Sequence, residues 1–132
     1  MKKLLQLTFS LLLLVLVVGC KKEASVSRLN GTWELKSMIG GYPVTNPSTE
    51  KHVVQLRFAD QLMEKYDNGK LTASAAYTIT AEKKAINHNQ ANYYITTDGD
   101  HKQYIKLSKN ELVVFEGVIA ADGVEMYFTK LK

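Results

Sequence analysis

The sequence predicts an all-β fold, a small antiparallel up-and-down barrel of about eight strands, preceded by a cleaved signal peptide. Residues 29–132 contain eight or nine short strand-like runs at spacings of roughly eight to twelve residues, separated by turn-forming residues. Neighbouring runs are joined by short turns, which favours a meander. No segment after residue 28 has a convincing helical period.

The first 19 residues are typical of a signal peptide. Lys2 and Lys3 form a basic start, and residues 4–18 are an apolar run with three polar interruptions. This run is shorter than the roughly 20 apolar residues that a membrane-spanning helix needs. It ends at Val17-Val18-Gly19-Cys20, which resembles the lipobox of bacterial lipoproteins.

Cys20 is the single cysteine of the chain, so it cannot form an internal disulfide. The lipobox resemblance implies cleavage after Gly19 and attachment of lipid to the Cys20 thiol. An ordinary signal peptide with a chance cysteine is the alternative. We therefore expect an exported, membrane-anchored lipoprotein, at the outer membrane or cell surface rather than the inner membrane. Residues 20–28 then form the lipidated cysteine and a polar tether, and residues 29–132 form the barrel domain.

The charge balance argues against a nucleic-acid partner. The chain has 17 Lys and Arg residues against 13 Asp and Glu residues, and two of the lysines are lost with the signal peptide. No basic stripe remains in the sequence. The membrane, reached through the lipid on Cys20, is the one partner that the sequence indicates directly, and any protein partner is unknown.

The first predicted strand, residues 29–39, places Trp33, Leu35, Ser37 and Ile39 on one face by its two-residue period. Gly31 suits a point where another backbone comes close. Residues 40–50 hold both prolines of the chain and form a predicted loop, either a connection or a lid. The later predicted strands are 52–59, 62–66, 71–80, a doubtful 85–88, 92–97, 102–107, 111–119 and 124–131, with an Asn-Gly hairpin turn at 68–69.

The run Leu29-Asn30-Gly31-Thr32-Trp33-Glu34-Leu35 resembles the Gly-x-Trp opening of lipocalin-like domains, especially the short ones of bacterial lipoproteins. Residues 107–112 and 126–131 are similar to the late run and the closing strand of that family. The resemblance implies a barrel with Trp33 at its closed end. The late arginine that stacks on the tryptophan in lipocalins is absent, and Lys130 is the nearest substitute. The C-terminal helix of lipocalins is absent from the pattern as well.

A barrel of this size either is filled by side chains or holds one small ligand. Alternation and the resemblance together predict a set of inward-facing residues, among them Ala75 and Val114 beside the candidate ligand-binding residues. Those candidates are Trp33, Leu35, Leu56, Phe58, Tyr77, Tyr104 and Phe128.

The sequence carries no pattern for catalysis or for a cofactor. His52, His88 and His101 lie in separate segments without metal-ligand spacing. No nucleophile turn, phosphate loop or dinucleotide fingerprint occurs. We therefore expect a non-enzymatic lipoprotein that binds a small apolar or amphipathic ligand in its barrel. The alternative is a filled barrel that acts as a structural or protein-interaction module at the membrane.

Overall fold

The computed structural model describes residues 26–41, 52–99 and 101–132, and these form one antiparallel sheet. Cys20, the predicted signal peptide and most of the predicted loop at 40–50 lie outside the described residues. The strands are β1 (Gly31–Gly40), β2 (Val54–Ala59), β3 (Leu62–Asp67), β4 (Lys70–Ala76), β5 (Thr78–Ile86), β6 (Asn89–Thr96), β7 (Lys102–Leu107), β8 (Glu111–Glu116) and β9 (Val124–Lys130). One helical turn at residues 26–29 precedes β1, and the 3₁₀ turn Ile119–Ala121 lies between β8 and β9.

The sheet is a meander that curls into a half-barrel. Its nine strands follow the order β4-β3-β2-β1-β9-β8-β7-β6-β5, so the first strand pairs with the last. This confirms the all-β, up-and-down prediction. The seam lies between β4 and β5, which are the two edge strands, so the sheet is open where the prediction had a closed barrel.

The seam arises because the predicted fourth strand, 71–80, is broken at Tyr77. The Tyr77 backbone N–H donates to the Gln61 carbonyl at 2.8 Å, next to the Leu62–Ala76 pair at the end of the β3–β4 hairpin. Its ring packs edge-on against Phe58, with 5.3 Å between ring centroids. The doubtful strand at 85–88 is the end of β5, which turns at Asn87, a residue with a φ of 55°.

Both edge strands are irregular, which limits pairing with another chain. The register of β4 against β3 shifts between Lys65 and Tyr66, and the Thr72 hydroxyl donates to the Lys65 carbonyl at 3.1 Å. The register of β5 against β6 shifts between Ala81 and Lys84. Each open edge therefore contains a bulge that interrupts a flat hydrogen-bonding row.

Two apolar clusters lie on opposite faces of the sheet. The inner core consists of Leu29, Trp33, Leu56, Phe58, Tyr77, Ile79, Ile95, Ile105, Leu107, Leu112, Val114 and Phe128. A smaller set on the other face, which we call the outer cluster, consists of Ile86, Ala91, Val113 and Phe115, with Tyr104 and Tyr127 packed against it. Along β8 the two clusters take alternate residues, as the two-residue period of a strand requires.

A bulge in β1 overturns part of the predicted facing of that strand. Leu35 lies opposite Phe128, but the next paired residue is Ser37, opposite Tyr127. Beyond the bulge it is Met38 that shares the inner face with Met126, and Ile39 lies opposite Glu125 on the outer face. The prediction that Ser37 and Ile39 share the face of Trp33 is therefore wrong, because one extra residue inverts the alternation.

The hairpin of β5 and β6 bends over the outer face of the sheet. The bend lies at Asn92, opposite the β5 bulge. There the Asn92 side chain takes the place of backbone pairing between β6 and β7. Its amide donates to the Leu107 carbonyl at 2.9 Å and accepts from the Leu107 N–H at 2.8 Å. The backbone pairing of β6 with β7 runs only from Tyr93 to Thr96. Ile86 and Ala91 beyond the bend pack on the outer cluster, so the hairpin tip covers β8 and β9.

Candidate ligand-binding groove on the outer face

Six of the seven candidate ligand-binding residues gather at the inner core. Five of them belong to it directly, and Leu35 packs against it. The members are Trp33, Leu35, Leu56, Phe58, Tyr77 and Phe128. They pack against one another and against the aliphatic residues of β5 to β8.

Tyr104 lies on the other face, so its predicted inward orientation is wrong. It pairs with Phe115 and packs against the outer cluster, while its neighbour Ile105 is fully buried in the inner core. The predicted strand 102–107 is correct, but the choice of which alternate set faces inward is not. The alternate set Gln103, Ile105 and Leu107 is more apolar than Lys102, Tyr104 and Lys106, so the two-residue period already favoured Ile105 as the inward residue.

The closed end of the half-barrel is built around Trp33. Its side chain is fully buried, and the indole Nε1 donates to the Leu29 carbonyl at 2.8 Å. The Lys130 ammonium lies 5.1 Å from the indole ring centroid and donates to the Arg28 carbonyl at 3.0 Å. Lys130 therefore lies against the Trp33 ring, where the resemblance made it the nearest substitute for the lipocalin arginine.

Gly31 precedes this end with a φ of 129°, a region that favours glycine. A Cβ atom there would lie 2.8 Å from Lys130 Cε. The group close to Gly31 is thus the Lys130 side chain that lies against Trp33. The sequence had suggested that a neighbouring backbone would come close at Gly31.

The Tyr77 hydroxyl is a polar group within the inner core. It is buried and has no hydrogen-bond partner among the described residues. Burial raises the pKa of Tyr77, and the nearby Asp60 carboxylate raises it further. The phenol is therefore neutral across the physiological range.

A groove of about 780 Å³ opens on the outer face, between the folded hairpin tip and the strands β7 and β8. This volume falls within the range of small-molecule sites. Its apolar part comes from Ile86, Tyr104, Phe115 and Val118. Its polar part includes Lys84, Asn87, His101, Lys102, Gln103 and Glu116.

Beside the groove lies a set of side chains that we call the lysine–tyrosine cluster: Glu82, Lys84, Tyr94, Lys102 and Tyr104. Of these, Lys84, Lys102 and Tyr104 line the groove. The Tyr104 hydroxyl donates to Glu82 Oε1 at 2.6 Å, and Lys102 Nζ donates to Glu82 Oε2 at 3.2 Å. The two lysine ammonium groups each lie 4.2 Å from a tyrosine ring centroid, Lys84 over Tyr104 and Lys102 over Tyr94. Cation–π contacts of this kind hold ammonium groups in place without neutralising them.

The hydrogen bonds of this cluster determine its charge states. The hydroxyl of Tyr104, followed by the ammonium of Lys102, lowers the pKa of Glu82 below its ordinary value. The hydrogen bonds to Glu82 in turn raise the pKa of Lys102 and the pKa of Tyr104. At neutral pH Glu82 is therefore anionic, Lys102 is cationic and Tyr104 is neutral.

The hairpin tip that forms the opposite wall is held by the buried carboxylate of Glu125, which is 3% exposed. Glu125 accepts hydrogen bonds from Asn87 at 2.7 Å, from Tyr127 at 2.7 Å and from Asn89 at 3.2 Å. The Asn87 amide oxygen also accepts from the Ile119 N–H at 3.0 Å. One carboxylate on β9 thus joins the hairpin tip to the outer face of the sheet.

The ionisation of Glu125 depends on these partners. Burial alone raises the pKa of the Glu125 carboxyl, but the hydrogen bonds from Tyr127, Asn87 and Asn89 outweigh burial, and the pKa lies below its ordinary value. The hydrogen bond to Glu125 raises the pKa of Tyr127. The carboxylate is therefore charged, and the phenol protonated, at neutral pH.

Sequence reasoning missed the residues that build the groove. Lys84 lies between two predicted strands, Lys102 begins a predicted strand, and Glu125 is a polar residue within the last predicted strand. One available signal was the Asn-His-Asn run at 87–89, because asparagine tolerates the left-handed backbone that a tight turn needs. That signal predicts a turn, but not the surface on which the turn lies.

The described residues contain no group of three or more His, Cys, Asp or Glu side chains arranged to hold a metal ion. Within the same residues, no helix has the length and apolar character to cross a membrane. The chain matches no family model, and no curated protein or solved structure is significantly similar to it.

Proposed function

We propose that this chain is an exported, lipid-anchored lipoprotein of the cell envelope that binds a small amphipathic molecule in its outer groove, without catalysis. The groove of about 780 Å³, with an apolar floor and a polar rim, is the observation that carries this proposal. Small-molecule sites combine those two features in the same way. The proposal keeps the ligand class expected from the sequence and moves its site to the opposite face of the sheet.

The packing of the inner core supports this location. Trp33 is fully buried, and Phe58 and Phe128 are each 2% exposed. A ligand inside the half-barrel would have to displace such side chains, at a cost of several kcal/mol. The groove needs no displacement, because it is already open to solvent.

The position of the groove also fits an anchor on Cys20. Residues 26–29 lie beside Trp33, near the start of β8 at Glu111. Glu116, at the other end of β8, and Val118, two residues beyond it, line the groove. A six-residue strand is about 20 Å long, so the groove faces away from the end of the domain that leads to the anchor. We infer that the ligand comes from the aqueous phase.

A substitution at the groove rim tests the site. Val118 lines the groove and is 52% exposed, so Val118→Asp places a charge against an apolar ligand without disturbing the core. We expect about a tenfold loss of affinity for naphthalene-2-carboxamide, a neutral bicyclic probe, measured by isothermal titration calorimetry on the full chain in detergent.

Met38→Asp is the matched control, since Met38 is 55% exposed and does not line the groove. It should bind the probe as the wild type does, with the same partition of probe into detergent. Equal affinity of all three proteins would place the ligand elsewhere. If the wild type shows no saturable binding of the probe, the better proposal is the filled barrel that acts as an interaction module. The packed inner core favours that alternative.

The anchor is tested separately by metabolic labelling with a radioactive fatty acid. We expect the wild-type chain to incorporate the label and Cys20→Ser to lose it completely, because the thiol is the acylated atom in the proposal. Ser25→Ala, in the same tether, should be labelled normally. Labelled Cys20→Ser protein would show that the lipobox resemblance had misled us.

A further inference from the structure

We propose that the groove selects an anionic amphiphile, a molecule with one negatively charged group and a flat apolar body. This inference rests on the proposed function and adds the chemical class of the ligand. The juxtaposition that carries it is the pair of lysines beside Tyr104, at the border of the apolar floor.

The apolar body is accommodated by the floor of the groove. Phe115 is 4% exposed and Ile86 is 8% exposed, so both are held rigidly by the outer cluster. Val118, which is 52% exposed, contributes a free apolar surface at the rim. A flat ring or a short chain lying on these side chains would remove apolar area from water on both partners.

The negatively charged group is accommodated by the lysines. Lys84 and Lys102 both line the groove, and each is held near Tyr104. The Lys84 ammonium lies over the Tyr104 ring. The Lys102 ammonium and the Tyr104 hydroxyl both donate to the Glu82 carboxylate. Their stems are therefore ordered before a ligand arrives. Ordering in advance reduces the entropy that binding costs.

The carboxylates near the groove limit the charge that it accepts. Glu82 neutralises part of the positive charge of Lys102, with which it forms an ion pair at 3.2 Å. Glu116 is the one carboxylate among the described lining residues, and it accepts from Gln103 Nε2 at 3.4 Å. Glu82 also interacts with Lys84 at longer range, but its ion pair is with Lys102. Lys84 is therefore the main attraction for an anion, and the groove favours a ligand with a single negative charge.

The experiment compares two probes that differ in one group, naphthalene-2-carboxylate and the neutral naphthalene-2-carboxamide. Affinities are measured by calorimetry on the full chain in one detergent, at pH 7 and low salt. The wild type should prefer the carboxylate by about threefold to fivefold, the size of effect that an exposed ion pair gives. Added salt should reduce that preference.

Three variants test which residues cause the preference for the carboxylate probe. Lys84→Gln should abolish the preference, because it should weaken binding of the carboxylate more than binding of the carboxamide. Lys83→Gln removes the same charge from the adjacent residue, which does not line the groove, and should keep the preference. Glu82→Gln should increase the preference about threefold, because it releases Lys102 from its carboxylate partner.

The outcomes separate this inference from the function on which it rests. If neither probe binds, the proposed function fails. If both probes bind equally, and Val118→Asp weakens both, the groove is a ligand site but the anionic selectivity is wrong. If Lys83→Gln and Lys84→Gln lower the preference equally, the effect is one of overall charge and the assignment to Lys84 is overturned.

Discussion

Replacing Trp33 with alanine is expected to lower the free energy of unfolding by about 4 kcal/mol, the usual cost of truncating a large buried aromatic residue. Trp33 is fully buried and contributes three kinds of contact: core packing, the hydrogen bond to the Leu29 carbonyl at 2.8 Å, and the Lys130 ammonium 5.1 Å from its ring centroid. The substitution removes all of them. Urea unfolding followed by far-ultraviolet circular dichroism measures the loss.

Two further variants interpret that result. Trp33→Phe keeps a ring but loses the Nε1 donor, so it should cost about half as much. Met38→Ala, in the same strand at a residue that is 55% exposed, should change stability by less than about 0.5 kcal/mol. A loss below about 1 kcal/mol in Trp33→Ala would mean that the closed end is not built around this side chain.

The second large effect concerns Glu125, where we expect Glu125→Gln to cost about 2 kcal/mol at pH 7, since hydrogen bonds to a charged group are worth more than neutral ones. The amide keeps one acceptor oxygen, but its NH₂ group would face other donors. Asn87, Asn89 and Tyr127 donate to the carboxylate in the wild type. Hydrogen exchange should show earlier opening of the hairpin tip at residues 86–91.

The pH dependence of this difference follows from the lowered pKa of Glu125. A carboxylate with a depressed pKa in the folded state stabilises the protein fully above its unfolded pKa, near 4.3, and loses that contribution as the pH falls through the folded value. The stability difference between the wild type and Glu125→Gln should therefore shrink as the pH falls below about 4.

Glu111→Gln is the control for this experiment, because Glu111 lies on the neighbouring strand β8 and is exposed. Its stability should stay close to that of the wild type over the same pH range. A difference between Glu125→Gln and the wild type that is constant from pH 7 to pH 3 would show that the charge of Glu125 does not hold the hairpin.

Local sequence patterns predicted several elements well, because each signal lies within the element itself. Asn68-Gly69 lies at the turn between β3 and β4, and both residues have the positive φ of a tight turn. The strand predicted at 102–107 coincides with β7. Trp33 is at the buried end of β1, as the Gly-x-Trp resemblance implied.

Face assignments failed wherever the backbone departs from regular pairing. The bulge after Leu35 depends on how β1 meets β9. The Tyr104 assignment failed for a different reason, because β7 is regularly paired and its more apolar set, which includes Ile105, faces the inner core. The bend at Asn92 depends on the backbone of Leu107, which is 15 residues away in sequence. A local period contains no information about such partners.

The sequence by itself determined the strand-rich class and the meander order, because alternation and turn residues act over a few neighbouring positions. It also led us to expect an anchor at Cys20 and an aromatic residue at the closed end. Only the tertiary structure decided that the sheet stays open at Tyr77, that the hairpin tip folds onto Glu125, and that the groove lies outside the half-barrel. The physical reason is that register and bulges are properties of strand pairs, so they emerge only when distant segments meet.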